Sequence, residues 1–490
     1  MSGSVDTDVD VAIVGAGFAG LAMARALQRH GRHSFTIIER GESVGGTWRE
    51  NTYPGVACDV PAGLYRFADR PGLEEGGAFA SGASIHSYLQ RTARDEGIDP
   101  AVRLGTHLRQ ATWDGSSWLV RTAGRDDRDI RVGALVLACG RLTQPRIPAV
   151  AGLAGFVGPV MHTARWDHSV DVADRRVAVV GTGASAIQLV PELVRRGAHV
   201  TLFQRSPAWI LPREHGAAGA ADEGPAALHA RLREEGEARF ASRSGDAAAS
   251  AAARGAALAH LAAHVEDPAL RDALTPRYAF GCKRVLLSDD FYPVVASPDA
   301  TLEPSALARV EGGLLVAQSG RRHEADVLVF ATGFDASRPP YASLVEGEDG
   351  TTLEEHWSEG MTAVGSTLVS GFPDLFVLGG PNAALGHNSA VLLLEEQADF
   401  ATRMLRSPLR PLRVRAEAEA AASRDIASRA AGTPWLSGGC RNWYVDERSG
   451  RLALLWPGTV AAFRERLDAI GPDDLLPAPA VAAACLEGHA

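Results

Sequence analysis

The sequence predicts an α/β protein made of two Rossmann-like dinucleotide-binding units, the second inserted into the first. Two observations carry this reading. An apolar, β-branched run twice meets a glycine-rich loop that opens a helical pattern. The first is 9–14 into Gly15-Ala16-Gly17-Phe18-Ala19-Gly20, the second 176–180 into Gly181-Thr182-Gly183-Ala184-Ser185-Ala186. Two further buried-strand runs, 134–140 and 326–333, each end at a glycine and lead into proline-containing loops. They bracket the second unit, so the expected division is 1–145 for the first part of one domain, 146–330 for the inserted domain, and 331–490 for the resumption of the first.

Each element has its reason. Glycine lets the backbone approach a pyrophosphate closely, and the helix that follows aims unpaired amides at it. The strand 35–39 ends in Glu39, about twenty residues past Gly20, where a carboxylate accepts hydrogen bonds from ribose hydroxyls and repels a 2′-phosphate. Gly15, Gly17, Gly20 and Glu39 therefore point to FAD or NAD in the first unit. In the second unit Ala186 replaces the third glycine beside Gly181 and Gly183. Strand 199–203 leads into Gln204-Arg205-Ser206, and a guanidinium in that place pairs with a 2′-phosphate. The preference there is NADPH. Two such sites in one chain describe a device that passes a hydride from NADPH to a flavin. Between 216 and 273 the chain is rich in Ala, Arg and Glu and reads as a helical insertion. Within it 242–254 has little apolar bulk to bury and is expected to be poorly ordered.

Composition closes off other classes. The chain has 490 residues, 46% of them hydrophobic and 22% charged, which is an ordinary globular balance and room for two or three domains. Lys and Arg number 49 against 59 Asp and Glu, a formal charge of −10, with no basic block to neutralise a phosphate backbone, so nucleic acid is not an expected partner. The first ten residues are polar and acidic, and no run approaches the ~18 apolar residues of a membrane span, so the expectation is a cytoplasmic enzyme with no membrane partner. Five widely separated cysteines, 58, 139, 282, 440 and 485, form no short-spaced pair. They read as packing thiols, without a metal site or a redox-active dithiol.

The segment between the first unit and the second narrows the chemistry. Residues Phe156-Val157-Gly158-Pro159-Val160-Met161-His162-Thr163-Ala164-Arg165-Trp166-Asp167 match F-x-G-x-x-x-H-x-x-x-W-[P/D] at every fixed position. This resembles the fingerprint of the Baeyer–Villiger monooxygenases, which use FAD, NADPH and O2 to insert oxygen beside a ketone carbonyl. The heteroatom-oxidising flavin-containing monooxygenases, which lack this Trp-Asp ending, are the alternative. Gly45-Gly46-Thr47-Trp48, Asn51-Thr52-Tyr53-Pro54-Gly55 with Asp59, Gly281-Cys282-Lys283-Arg284 and Ala331-Thr332-Gly333-Phe334-Asp335 resemble further blocks of that family.

The resemblance implies a C4a-peroxyflavin attacking the carbonyl of a small-molecule ketone to give an ester or lactone. It implies Arg284 as the active-site cation, Asp59 as its paired acid, and Lys283 with Arg205 on the 2′-phosphate. Phe156, Gly158, His162, Trp166 and Asp167 are implied to couple the domains. Gly46, Thr47, Trp48, Tyr53, Asp59, Thr332, Gly333, Asn388 and Trp443 are implied near the cofactors, Trp443 on a loop that closes over NADP. No metal is implied.

Overall fold

The computed structural model describes residues 9–73, 77–213 and 223–477. Strand Val11–Val14 lies between Phe35–Glu39 and Ala134–Leu137, with Val102–Leu104 beyond the former and Leu375–Val377 beyond the latter, all parallel. All four residues of Val11–Val14 are buried, as a parallel strand covered on both faces requires. Alternation divides them. Val11 and Ile13 pack toward the helices Phe18–Arg29 and Ala390–Met404. Ala12 and Val14 pack toward Trp113, Trp118 and Val120 of an accessory sheet formed by Thr106–Trp113, Trp118–Gly124, Asp129–Val132 and Val345–Glu346.

The second sheet repeats the plan. Its order is Ala300–Glu303, His199–Phe203, Arg176–Val180, Val327–Phe330, Val160–His162, again parallel throughout. The chain leaves the first sheet after Leu137, builds the second, and returns to the first at Leu375. Each sheet places its glycine loop at the carboxyl end of its central strand, where ligands bind in doubly wound folds.

Two expectations are corrected. The stretch 242–254 is ordered. Most of it lies in helix Ala247–His264, where alanine's high helix propensity, an Asp246 side chain accepting from the Ala249 amide at 2.8 Å, and burial of Ala257, His260 and Leu261 suffice. Residues 216–222 of the expected insertion lie outside the described residues. The cysteines are not all packing thiols: Cys282 and Cys440 form a disulfide across 158 residues of chain. Short-spacing rules cannot see a pair that only folding brings together. Cys58 and Cys139 are free, and Cys485 lies outside the described residues. Among the described residues no helix is long and apolar enough to cross a membrane, and no group of three or more His, Cys, Asp or Glu is arranged to hold a metal ion.

Candidate active site

The two glycine loops have matching geometry. Gly15 sits at φ +106°, and a Cβ there would lie 2.5 Å from the carbonyl oxygen of Ala138; Gly181 sits at φ +115°, and its Cβ would lie 2.5 Å from that of Ala331. Only glycine tolerates both the positive φ and the close approach. Helices Phe18–Arg29 and Ala184–Arg195 begin at Gly17 and Gly183 with no side-chain cap, so their leading amides are left to a phosphate. A Cβ on Gly20 would collide with the Gly15 carbonyl oxygen at 1.9 Å, and Ala186 is fully buried at the matching place. Gly46 packs on Gly17, with 3.0 Å between its notional Cβ and the Gly17 Cα, which brings Thr47 and Trp48 beside the first loop.

Glu39 is buried and organises this cradle. Its Oε2 accepts from the Ala16 amide at 2.8 Å; its Oε1 accepts from the Gly41 amide and from Arg49, each at 2.7 Å. Trp48 donates its indole N–H to the Tyr65 hydroxyl at 3.2 Å. These cradles, with their uncapped helix starts and an acid beside the first, fit a dinucleotide in each unit.

At the second loop the charge is positive. Lys283 donates to the Ser206 hydroxyl at 2.6 Å and lies 4.8 Å over the Tyr278 ring, while Thr182 donates to the Ser206 carbonyl oxygen. Burial, reinforced by Arg205, holds the Lys283 ammonium below the usual lysine range. Among the described residues neither cation is ion-paired, which suits a phosphate dianion.

Arg284 follows Lys283 directly. Its Nε donates to Asp59 Oδ2 at 2.7 Å and its Nη2 to Oδ1 at 2.6 Å, a two-pronged pair whose side chains are 29% and 20% exposed. The charge of Asp59 holds the guanidinium well above its ordinary range against the pull of burial. Burial alone would raise the Asp59 carboxyl, but the charge and hydrogen bonds of Arg284 outweigh it and keep the carboxyl low. Strand Leu286–Leu287 pairs with Ile210–Leu211, the Ala279 amide donates to the Gly438 carbonyl oxygen at 2.8 Å, and the disulfide fixes Cys282, so the segment around Arg284 is held on both sides.

The 156–167 segment is structural in several of its parts. Phe156 packs in a core cluster with Val310 and Phe330. Gly158, at φ +152°, would place a Cβ 2.4 Å from the Asp326 carbonyl oxygen. His162 is 3% exposed; its Nδ1 accepts from the Ala164 amide at 3.1 Å, and burial lowers its pKa. Trp166 packs against the second core, and Asp167 accepts from the Ser169 amide and hydroxyl. Next to it, Arg165 donates to Glu50 on the helix opened by Thr47.

Other expected residues lie elsewhere than at a bare pocket wall. The Tyr53 hydroxyl donates to Gln188 on the second-unit helix at 2.8 Å, making it a contact between the units. Asn388 donates to the Arg233 carbonyl oxygen and to Glu237 on the insertion, and Ser389 caps the helix after it. Thr332 donates to the Arg146 carbonyl oxygen, with Gly333 exposed beside it. Trp443 is 39% exposed, its ring 4.8 Å from that of Tyr444. Three further features near these residues are Arg213, which donates to the Cys58 carbonyl oxygen beside Asp59, the Cys282–Cys440 disulfide, and Arg243. No local motif marks any of them.

Comparison with known proteins agrees with this geometry. Residues 12–215 match the family model described as pyridine nucleotide-disulphide oxidoreductase. A Baeyer–Villiger monooxygenase of Streptomyces coelicolor is 40% identical, the match spanning 97% of this chain and 94% of the relative. One of Pseudomonas aeruginosa is 36% identical over 93% and 88%. Among solved structures, an oxidised steroid monooxygenase bound to NADP is 28% identical with a TM-score of 0.80, covering 94% of this chain and 96% of that one. With two curated relatives of that name aligned along nearly its whole length, the chain belongs to the Baeyer–Villiger monooxygenase family.

Proposed function

We propose that this protein is an FAD-dependent monooxygenase that consumes NADPH and O2 to place one oxygen atom beside the carbonyl of a small ketone. Ketone, NADPH, a proton and O2 give an ester or lactone, NADP⁺ and water. When bound, FAD supplies the electron transfer and oxygen activation that no amino-acid side chain provides. The cradle of Gly15, Gly17, Gly20, Glu39 and Gly46 would hold it, and that of Gly181, Gly183, Ala186, Arg205 and Lys283 would hold NADPH. On this reading the chain divides near residues 145 and 331.

The observation that carries the proposal is Arg284, a permanent cation fixed by an acid 225 residues away and next in sequence to Lys283, which reaches Ser206 at the second loop. Negative charge that develops on oxygen during insertion is stabilised by a preorganised donor that needs no reorientation. Asp59 keeps the guanidinium in place and makes its burial tolerable. His162 is buried, with its Nδ1 accepting from the Ala164 amide, which supports a part in positioning the connecting segment.

Incubation with isotopically heavy O2, NADPH and a panel of ketones and thioethers tests the reading. One heavy atom in an ester or lactone supports it. Product confined to sulfoxides would assign the chain to heteroatom oxidation, and NADPH consumption with no oxygenated product would reject both.

A further inference from the structure

Arg243 is a buried guanidinium with nothing to pair with. It lies on the short helix Phe240–Ser244 of the insertion and is 8% exposed. Its Nε and Nη1 are buried without hydrogen-bond partners, and among the described residues it makes no ion pair and no side-chain hydrogen bond. Its one specific contact is with the Phe280 ring, 4.8 Å beneath the guanidinium carbon. That contact engages the face of the cation and leaves the in-plane N–H groups unsatisfied.

Its position ties it to the active site. Gly281, three residues before Arg284, packs on the Arg243 backbone so closely that a Cβ would fall 3.0 Å from the Arg243 carbonyl oxygen. The same helix packs against Pro434–Ser437, just ahead of the loop that carries Trp443 and Tyr444. Burial, then the charges of Arg284 and Arg239, lowers the Arg243 pKa to about 10, so it remains a cation at neutral pH. Asp59, the carboxylate that pairs with the neighbouring Arg284, has both of its oxygens taken by it.

We propose that Arg243 anchors an anionic group on the substrate, so that the preferred ketones carry a carboxylate. The proposal rests on the oxygenation reading above and refines it. A carboxylate matches the fork of donors left in the guanidinium plane, and a buried cation without a counter-charge is otherwise strongly disfavoured. An anion of the nucleotide shares this chemistry. On the reading above, NADPH would find its phosphate partners at Arg205, Lys283, Ser206 and the start of helix Ala184–Arg195, which leaves Arg243 to the substrate.

The test compares a straight-chain methyl ketone ending in a carboxylate with its methyl ester, on the flavin-loaded enzyme and its Arg243→Met variant. The native enzyme is expected to bind the acid roughly tenfold or more tighter by titration calorimetry, with a matching preference in kcat/KM. In Arg243→Met the preference falls to near unity, while the KM for NADPH and turnover of the methyl ester are kept. Equal binding of acid and ester by the native enzyme overturns the proposal, as does a preference that survives in the variant. A rise in the KM for NADPH with substrate preference unchanged assigns the anion to the nucleotide and likewise overturns it. If Arg243→Met fails to retain flavin, Arg243→Gln, similar in length and able to hydrogen-bond but uncharged, takes its place under the same criteria. If neither ketone yields an ester, the oxygenation reading fails, and the calorimetric comparison still decides the anchor.

Discussion

Arg284 and Asp59 are joined by two charge-assisted hydrogen bonds, of 2.7 and 2.6 Å, although the first belongs to the excursion that builds the second sheet and the second follows the opening strands of the first. Arg284→Met should leave NADPH oxidation running and lower ester formation by about 100-fold or more, the usual consequence of removing a preorganised donor. Simultaneous assay of NADPH, hydrogen peroxide and ester checks it; ester formed at the native rate would remove Arg284 from the chemistry.

Asp59→Asn strands the guanidinium. Because both partners keep some solvent contact, the stability loss should be about 2–3 kcal/mol, below the figure for a fully buried pair, read as a lower thermal midpoint. The pH dependence has a definite sign. The Asp59 carboxyl is depressed in the folded state, so its contribution is complete above the ordinary aspartate value near ~4 and vanishes as acid titrates it. The native and Asp59→Asn proteins should therefore converge in stability at strongly acidic pH.

Glu395 behaves in the opposite way. It accepts from the Ala68 amide at 3.2 Å, and burial raises its pKa to about 7. A raised folded pKa stabilises at low pH and withdraws that support as pH climbs toward 7. Denaturant melts between pH 5 and 7 should show this decline in the native protein and a flatter profile in Glu395→Gln.

On the proposal that Lys283 and Arg205 both face the 2′-phosphate, either alanine variant should raise the KM for NADPH by about tenfold while leaving that for NADH within about twofold. Steady-state kinetics with both nucleotides decides it. Equal losses with both would move these cations off the 2′-phosphate.

Gly20→Ala drives a methyl group into the Gly15 carbonyl oxygen and must displace the helix from the loop. The purified variant should carry markedly less flavin per chain, measured from visible absorbance, even where it remains folded by circular dichroism.

What the sequence made legible follows from where each signal is stored. The glycine loops, Glu39 and Arg205 are fixed by local backbone demands, so strand, turn and helix patterning locates them. Arg284 and Asp59 became readable only through resemblance, since neither carries a local signature. Arg243 sits among many arginines in an Ala-rich stretch, and only burial separates it from the solvated ones. Tyr53 on Gln188 and Cys282 on Cys440 are long-range contacts created by the way the two sheets meet, and spacing alone does not encode them. In 242–254 helix propensity and a cap outweigh sparse apolar bulk, a balance that composition alone does not display.

Cys282 is the second residue before Arg284 and Cys440 the third before Trp443, so the covalent link ties the segment that carries the guanidinium to the one that leads into the indole. A displacement of one segment is therefore transmitted to the other through that bond. A thiol reductant would remove this coupling without changing either segment's own sequence.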